Sequence, residues 1–188
     1  MASRKASITP SVIPGSRTLA REKLLQVFFA AEISRTDPRQ LFPYVFPFNF
    51  RMETPTPASG RPLRPEEIEA LDSDIRIQWS DAELQFARRF VEEYVQRSDQ
   101  VVKLIEQFAE NWTYERLTPV DRVILKMGIT EFLAFPDIPM EVTINEAVEL
   151  AKKFSTDKST SFVNGVLDAI LHHLAPERLL HKDHHRKA

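Results

Sequence analysis

A chain of 188 residues, 43% hydrophobic and 28% charged, has the composition of one ordinary globular domain, long enough to bury about 70% of its unfolded-chain surface. The absence of cysteine excludes disulfides, thiolate catalysis and Cys-ligated zinc or iron–sulfur sites. No apolar run approaches the roughly 18 residues needed to cross a bilayer, and no apolar segment of a secretory signal opens the chain, so a cytoplasmic location is expected.

The net charge of −2 is unevenly distributed: residues 1–23 hold +4, the tail from Arg178 holds +3 and the body holds −9. Basic ends on an acidic body predict an anionic partner at the termini and a basic one elsewhere; the plain alternative is charge for solubility. Residues 1–15, MASRKASITPSVIPG with Arg4 and Lys5, mix Pro, Ser and basic residues without periodicity and read as a mobile basic arm. A helix capped by Ser16 is predicted to about Ile33, and steps of 100° put Arg17, Arg21, Leu24 and Phe28 on nearly one line. One face is thus basic first and apolar afterwards, either a helix whose first turns project arginines past the core or an exposed turn with arbitrary charges.

Seven of the 13 prolines lie between Pro38 and Pro65, which excludes a long helix there. Phe42, Tyr44, Phe46, Phe48 and Phe50 alternate with other residues, but Pro43 and Pro47 demote the pattern to an edge or an extended aromatic strap, packed over the body or against a second copy. Thr54–Pro62 reads as a loop, and Pro65 followed by EEIEAL as a short helix. Ser80 to Glu83 is a capping box for a helix to about Arg97, and Ser98 opens another that ends near Trp112. Thr118 and Pro119 start VDRVILKMGITEFLAF, hydrophobic nearly all round and so central.

Ile144, Ala147, Val148, Ala151 and Phe154, then Val163, Val166, Leu167, Ile170, Leu171 and Leu174, form matching stripes around the polar turn 155–160. Such stripes make an antiparallel helix pair that needs cover. The fold class is all-α, without βαβ alternation or repeats. Residues 16–175 form the helical domain with a Pro/Phe-rich connector at 35–65, and 176–188 a basic, His-rich, polar tail. No nucleophile elbow, phosphate-binding glycine loop or zinc-ligand spacing occurs, so no enzyme, cofactor or metal site is read. Gly128 and Gly165 fall inside helices, where close helix–helix approach accounts for them.

The residues Asp121-Arg122, Ile124-Leu125, Glu131-Phe132-Leu133 and Asp137-Ile138-Pro139, then INEAVELAKKF, then Ser159 with FVNGVLD, resemble the NusB family of transcription antitermination factors. The likeness is densest from Leu117 to Asp168 and weaker for REKLLQVFFAAE. It implies a compact bundle of about seven helices in two subbundles and a non-enzymatic role. Family members pair with the ribosomal protein NusE, bind the boxA element of nascent rRNA transcripts and join RNA polymerase to support processive rRNA transcription. A NusB-like domain also occurs fused to an rRNA methyltransferase, but no Rossmann-like domain is expected after Leu174.

The resemblance carries an RNA-binding role onto Arg17 and Arg21, while Thr18 and Leu19 stand where the family often has further arginines; Arg4 and Lys5 on the arm are read as compensation. Lys23, Lys152 and Lys153 are weaker candidates. Phe162 lies roughly 90° from the centre of its helix's apolar stripe, and the family has an RNA-contacting phenylalanine there. Lys158 beside it replaces a frequent family acid. Phe29, Glu32, Asp121 and Arg122 are implied for the NusE face; Asp121 and Arg122 could instead pair only with each other. The rival expectation is a homodimeric helical interaction module whose aromatic strap occludes the RNA face or the NusE face.

Overall fold

The computed structural model of the chain describes residues 12–46, 76–109 and 113–185. Arg4, Lys5, Phe48, Phe50, the 54–62 loop and the short helix after Pro65 lie outside them. Seven α-helices are present among the described residues: α1 Arg17–Ser34, α2 Pro38–Val45, α3 Asp81–Gln96, α4 Ser98–Phe108, α5 Pro119–Ala134, α6 Met140–Phe154 and α7 Asp157–His185.

The capping residues read from the sequence start the helices. Ser16 accepts from the Leu19 amide at 3.1 Å, Ser80 and Glu83 form the reciprocal box, and Thr118 caps α5 ahead of Pro119. Each such cap is worth about 1 kcal/mol. α5 is the hub, touching α1, α3, α4, α6 and α7. Its Val123, Ile124, Leu125 and Ile129 have no exposed surface, each contributing about 1.5–3 kcal/mol by burial. α1 and α3 cover one side of it, with α2 packed on both; α6 and α7 pair antiparallel on the other, where α4 meets α7. Phe28 stacks on Tyr94 at 3.7 Å, and Phe86 and Phe90 meet Phe135 at 5.3 Å each. These rings tie α1 and α3 to the α5–α6 turn.

Three segments differ from the sequence expectation. Residues 38–45 form a helix, α2, rather than an extended strap. Asp37 caps it, Pro38 occupies its first turn, and Pro43 sits within it. Pro43 removes one of the few ladder hydrogen bonds of this short helix, a cost offset by setting Leu41, Phe42 and Val45 against the core while Phe46, just beyond, stacks on Trp79 at 4.7 Å. Burial of rings outweighed the alternation.

Residues assigned to the arm also take structure: β1 Val12–Pro14 pairs in parallel with β2 Arg76–Gln78. The Gly15 amide donates to the Gln78 carbonyl at 2.9 Å. A Cβ on Gly15 would stand 2.4 Å from a Glu83 carboxylate oxygen and 2.7 Å from the Trp79 ring, so only glycine fits this approach. Finally, α7 runs 29 residues to His185, through much of the segment read as a polar tail. Pro176 costs this extension one ladder hydrogen bond, but continuing a formed helix needs no new nucleus, and Glu177, Arg178, Leu179, Leu180 and Lys182 beyond it are good helix formers.

Candidate nucleic-acid interface

The two arginines that open α1 have different surroundings. Arg17 keeps 54% of its side chain exposed and reaches Asp137 at 3.7 Å. Arg21 keeps 6% and forms a two-pronged pair with Glu131, its Nε and Nη2 each donating at 2.8 Å. Glu146 lies 3.7 Å from Arg21, and Thr143 donates its hydroxyl to Glu131 at 2.6 Å. Both guanidinium carbons stand 5.3 Å from the Phe86 ring centroid. Alignment on one helical line was correct, but α3 and α6 close over the second turn. Projection past the core therefore holds for Arg17 and not for Arg21, which is an interior residue joining α1 to α5.

A surface pair such as Arg17–Asp137 is worth about 0–1 kcal/mol, so a phosphate can replace the carboxylate at little cost. A groove of about 350 Å³ follows α1 and α6, lined by Thr18, Glu22, Glu146, Glu149, Leu150, Lys152 and Lys153. Lys153 pairs with Glu22 at 2.8 Å and Lys152 with Glu149 at 2.5 Å. Lys23 is buried, and desolvation lowers its pKa from the ordinary lysine value, which removes it from the surface set.

The far end of α6 leads through Ser155 and Thr156 into the first turns of α7, where Lys158 is exposed and Phe162 is half-buried against the core. α6, 15 residues and so about 22 Å long, runs between the Arg17–Asp137 pair and the start of α7 that carries Lys158 and Phe162. The turn is held from beneath. Asp121, 5% exposed, accepts from the Ser155 hydroxyl at 2.8 Å and from the Ser159 hydroxyl at 3.0 Å.

On the other flank of α1, Phe29 is 40% and Ile33 60% exposed. Between them Glu32 accepts from Arg122 Nε at 3.0 Å, and Arg122 also donates to the Leu117 carbonyl at 3.3 Å. A groove of about 760 Å³ opens beside this pair, with Tyr94, Tyr114 and Lys126 in its wall. Burial raises the Tyr94 phenol well above its ordinary value and pushes Tyr114 up to about 12. Desolvation lowers the ammonium of Lys126, which stands 4.7 Å from the Tyr94 ring centroid. Asp121 and Arg122, adjacent in sequence, thus serve different faces and do not pair with each other. Asp121 faces the α6–α7 turn inside the protein, so it is not a surface contact.

A sequence profile of the NusB family matches residues 58–172. A transcription antitermination protein NusB from Thermodesulfovibrio yellowstonii is 35% identical over 165 residues, 88% of this chain and 95% of that protein. The chain belongs to the NusB family. A second relative, the transcription antitermination protein NusB of Clavibacter michiganensis subsp. michiganensis, is 35% identical over 82% of the chain and 95% of its own length. The structure of T. maritima NusB superposes with a TM-score of 0.64 at 28% identity, covering 84% of this chain and 92% of that one. Antitermination factors NusB and NusE in complex with dsRNA give a TM-score of 0.62 at 24% identity over 84% of this chain and 96% of that one, a likeness of fold.

In this NusB-family chain, several residues around the interface carry no sequence signal of a role. Phe86 reads as one more core aromatic, yet it is the surface beneath Arg17 and Arg21. Glu131 and Glu146 look like solvated acids until α1 is laid against α5 and α6. Ile33 is detectable in principle, since it falls one turn after Phe29 and off the Leu24–Phe28 stripe.

Proposed function

We propose that this chain is a transcription antitermination factor that binds the boxA element of nascent rRNA transcripts together with NusE and so supports processive rRNA synthesis. It acts in the cytoplasm by binding, without catalysis. The carrying observation is that exposed cations stand toward both ends of α6, Arg17 at one and Lys158 at the other, the latter one helical turn before the half-buried ring of Phe162. Single-stranded RNA is held by such cations on its phosphates and by aromatic planes against its bases.

In this reading Arg17, Lys158 and Phe162 contact RNA, Lys152 and Lys153 exchange their carboxylates for phosphates, and the arm with Arg4 and Lys5 adds charge. Arg21 supports Arg17 from below. Phe29, Ile33, Glu32 and Arg122 form the face for NusE. None of the described helices is long and apolar enough to cross a membrane, in keeping with a partner in the transcription machinery.

The test is anisotropy of a labelled boxA RNA titrated with the chain, with and without NusE, across a salt series. Binding should tighten with NusE and weaken with salt, and Arg17→Ala should flatten the salt dependence. Binding indifferent to both salt and Arg17→Ala would sink the reading. Because Phe29 and Ile33 leave apolar surface open, light scattering accompanies the titration. A concentration-independent dimer that refuses NusE would favour a homodimeric interaction module instead.

A further inference from the structure

Asp121 occupies the first turn of α5, its own amide donating to the Thr118 hydroxyl at 3.2 Å. Its carboxylate is almost wholly enclosed, and an enclosed carboxylate is costly unless hydrogen bonds replace its water. Here they do. Ser155, the C-cap of α6, donates to Oδ1 at 2.8 Å, and Ser159 donates to Oδ2 at 3.0 Å.

Proton counting fixes the rest of the network. Each hydroxyl has one proton, so Ser155 and Ser159 spend theirs on Asp121. Their mutual 2.9 Å contact then carries none. Thr156, 2.9 Å from the Ser159 hydroxyl, is left as the donor to it. The Ser159 amide closes the set by donating to the Thr156 carbonyl at 2.9 Å. One buried charge on α5 therefore grips the chain on both sides of Thr156, Asp157 and Lys158. Lys158 points to solvent within that bracket, and Phe162 follows one helical turn after it.

We infer that Asp121 is a positioning residue for RNA binding: through Ser155 and Ser159 it fixes the α6–α7 turn, and so the placement of Lys158 and Phe162, without touching RNA or partner itself. The inference rests on the RNA reading above. Asp121→Asn keeps the shape but removes the charge, and an amide oxygen with one NH2 cannot accept from both serines in the same way. RNA affinity should fall about tenfold, the worth of a charge-assisted hydrogen bond. Its salt dependence should change by less than the share of one phosphate, since the loosened turn must be ordered on binding but Lys158 still meets its phosphate in the complex. Lys158→Ala, by contrast, should lower the slope of log K against log salt by about 0.7.

The experiment measures the boxA RNA oligonucleotide and NusE separately against the full chain. It compares wild type, Asp121→Asn, the Ser155→Ala/Ser159→Ala double variant, and Asp121→Asn added to Lys158→Ala/Phe162→Ala. Expected are equal RNA losses for Asp121→Asn and the serine pair, unchanged NusE affinity, and no further RNA loss in the Lys158/Phe162 background. Hydrogen exchange of amides 155–160 in the free chain should quicken in both variants while α1 and α3 stay protected. The serine pair strands the enclosed carboxylate, so the single Ser159→Ala variant, which leaves it the Ser155 hydroxyl, is measured beside it and guards against a variant that does not fold. An additive loss in the Lys158/Phe162 background, a loss of NusE affinity, or unchanged RNA affinity beside faster exchange would each overturn the positioning role. A wild-type chain that binds no RNA overturns the functional reading and this role with it, whereas wild-type binding that ignores Asp121→Asn overturns this role alone.

Discussion

The two ends of α5 solve the same problem with the same charge and different partners. Near its C-terminal end Glu131 holds a buried cation, Arg21, and so docks α1. At its N-terminal end Asp121 holds two neutral hydroxyls and so docks the α6–α7 turn. Next to each anchor stands an exposed cation, Arg17 in one case and Lys158 in the other. The anchors are interior and the neighbouring cations are free to meet a ligand. An ion pair and a charge–hydroxyl bracket should nevertheless fail differently, because removing Glu131 strands a full charge whereas removing Asp121 strands only two hydroxyls.

The largest effect therefore belongs to Glu131→Ala. Arg21 would remain enclosed with its principal carboxylate gone, Glu146 at 3.7 Å being the nearest substitute. Loss of one partner of a buried pair costs about 3–5 kcal/mol, and urea unfolding should show it as a lower midpoint. Arg17→Ala, four residues earlier on the same helix, should stay within about 0.5 kcal/mol of wild type. Equal stabilities for the two variants would erase the distinction between anchor and contact.

Next comes the packing that keeps α5 in place between its anchors. A Cβ on Gly128 would meet two Leu167 methyl carbons at 3.0 Å, and Leu167 itself has no exposed surface. Gly128→Val should cost about 1–3 kcal/mol by overpacking, read as a lower thermal midpoint.

How far the sequence disclosed this arrangement follows from the range of each interaction. Ser16, Ser80 and Thr118 act within four residues, so caps and helix starts were legible. The stripes of α6 and α7 and the all-round burial of α5 follow from period alone. Pro43 misled because proline counts in a strand or a helix are local, while the reward for placing Phe42 and Phe46 against the core and Trp79 is not. The pairing of Val12–Pro14 with Arg76–Gln78 joins segments that no local pattern links. Arg21 and Asp121 show the same limit within the site. Their residue types suit surface contact, and only the partners Glu131 and Ser159, 110 and 38 residues away, turn them inward.

For Arg17 the effect lies in binding rather than stability. Arg17→Ala should lower RNA affinity and reduce the magnitude of the salt slope by about 0.7, the share of one phosphate on a single strand. The same substitution at Lys158 should give the same slope change from the opposite end of α6. If Lys158→Ala flattened the slope and Arg17→Ala did not, the ligand would lie across the turn alone and the α1–α6 groove would drop out of the interface.

The smallest effect tests the second helical glycine. Close packing explains Gly128 but not Gly165, where a Cβ would meet nothing within 4 Å. Gly165 lies on the exposed side of α7, three residues beyond Phe162. A glycine inside a helix costs about 0.5–1 kcal/mol relative to alanine, because more backbone freedom is lost on folding. With no neighbour to clash, Gly165→Ala should recover that amount and raise the thermal midpoint of the free chain. A destabilised Gly165→Ala would mean that α7 is closely approached on this side, as the sequence pattern alone suggested. A stabilised one leaves Gly128 as the glycine that helix packing requires, and marks this side of α7 as surface that costs the fold stability to keep bare.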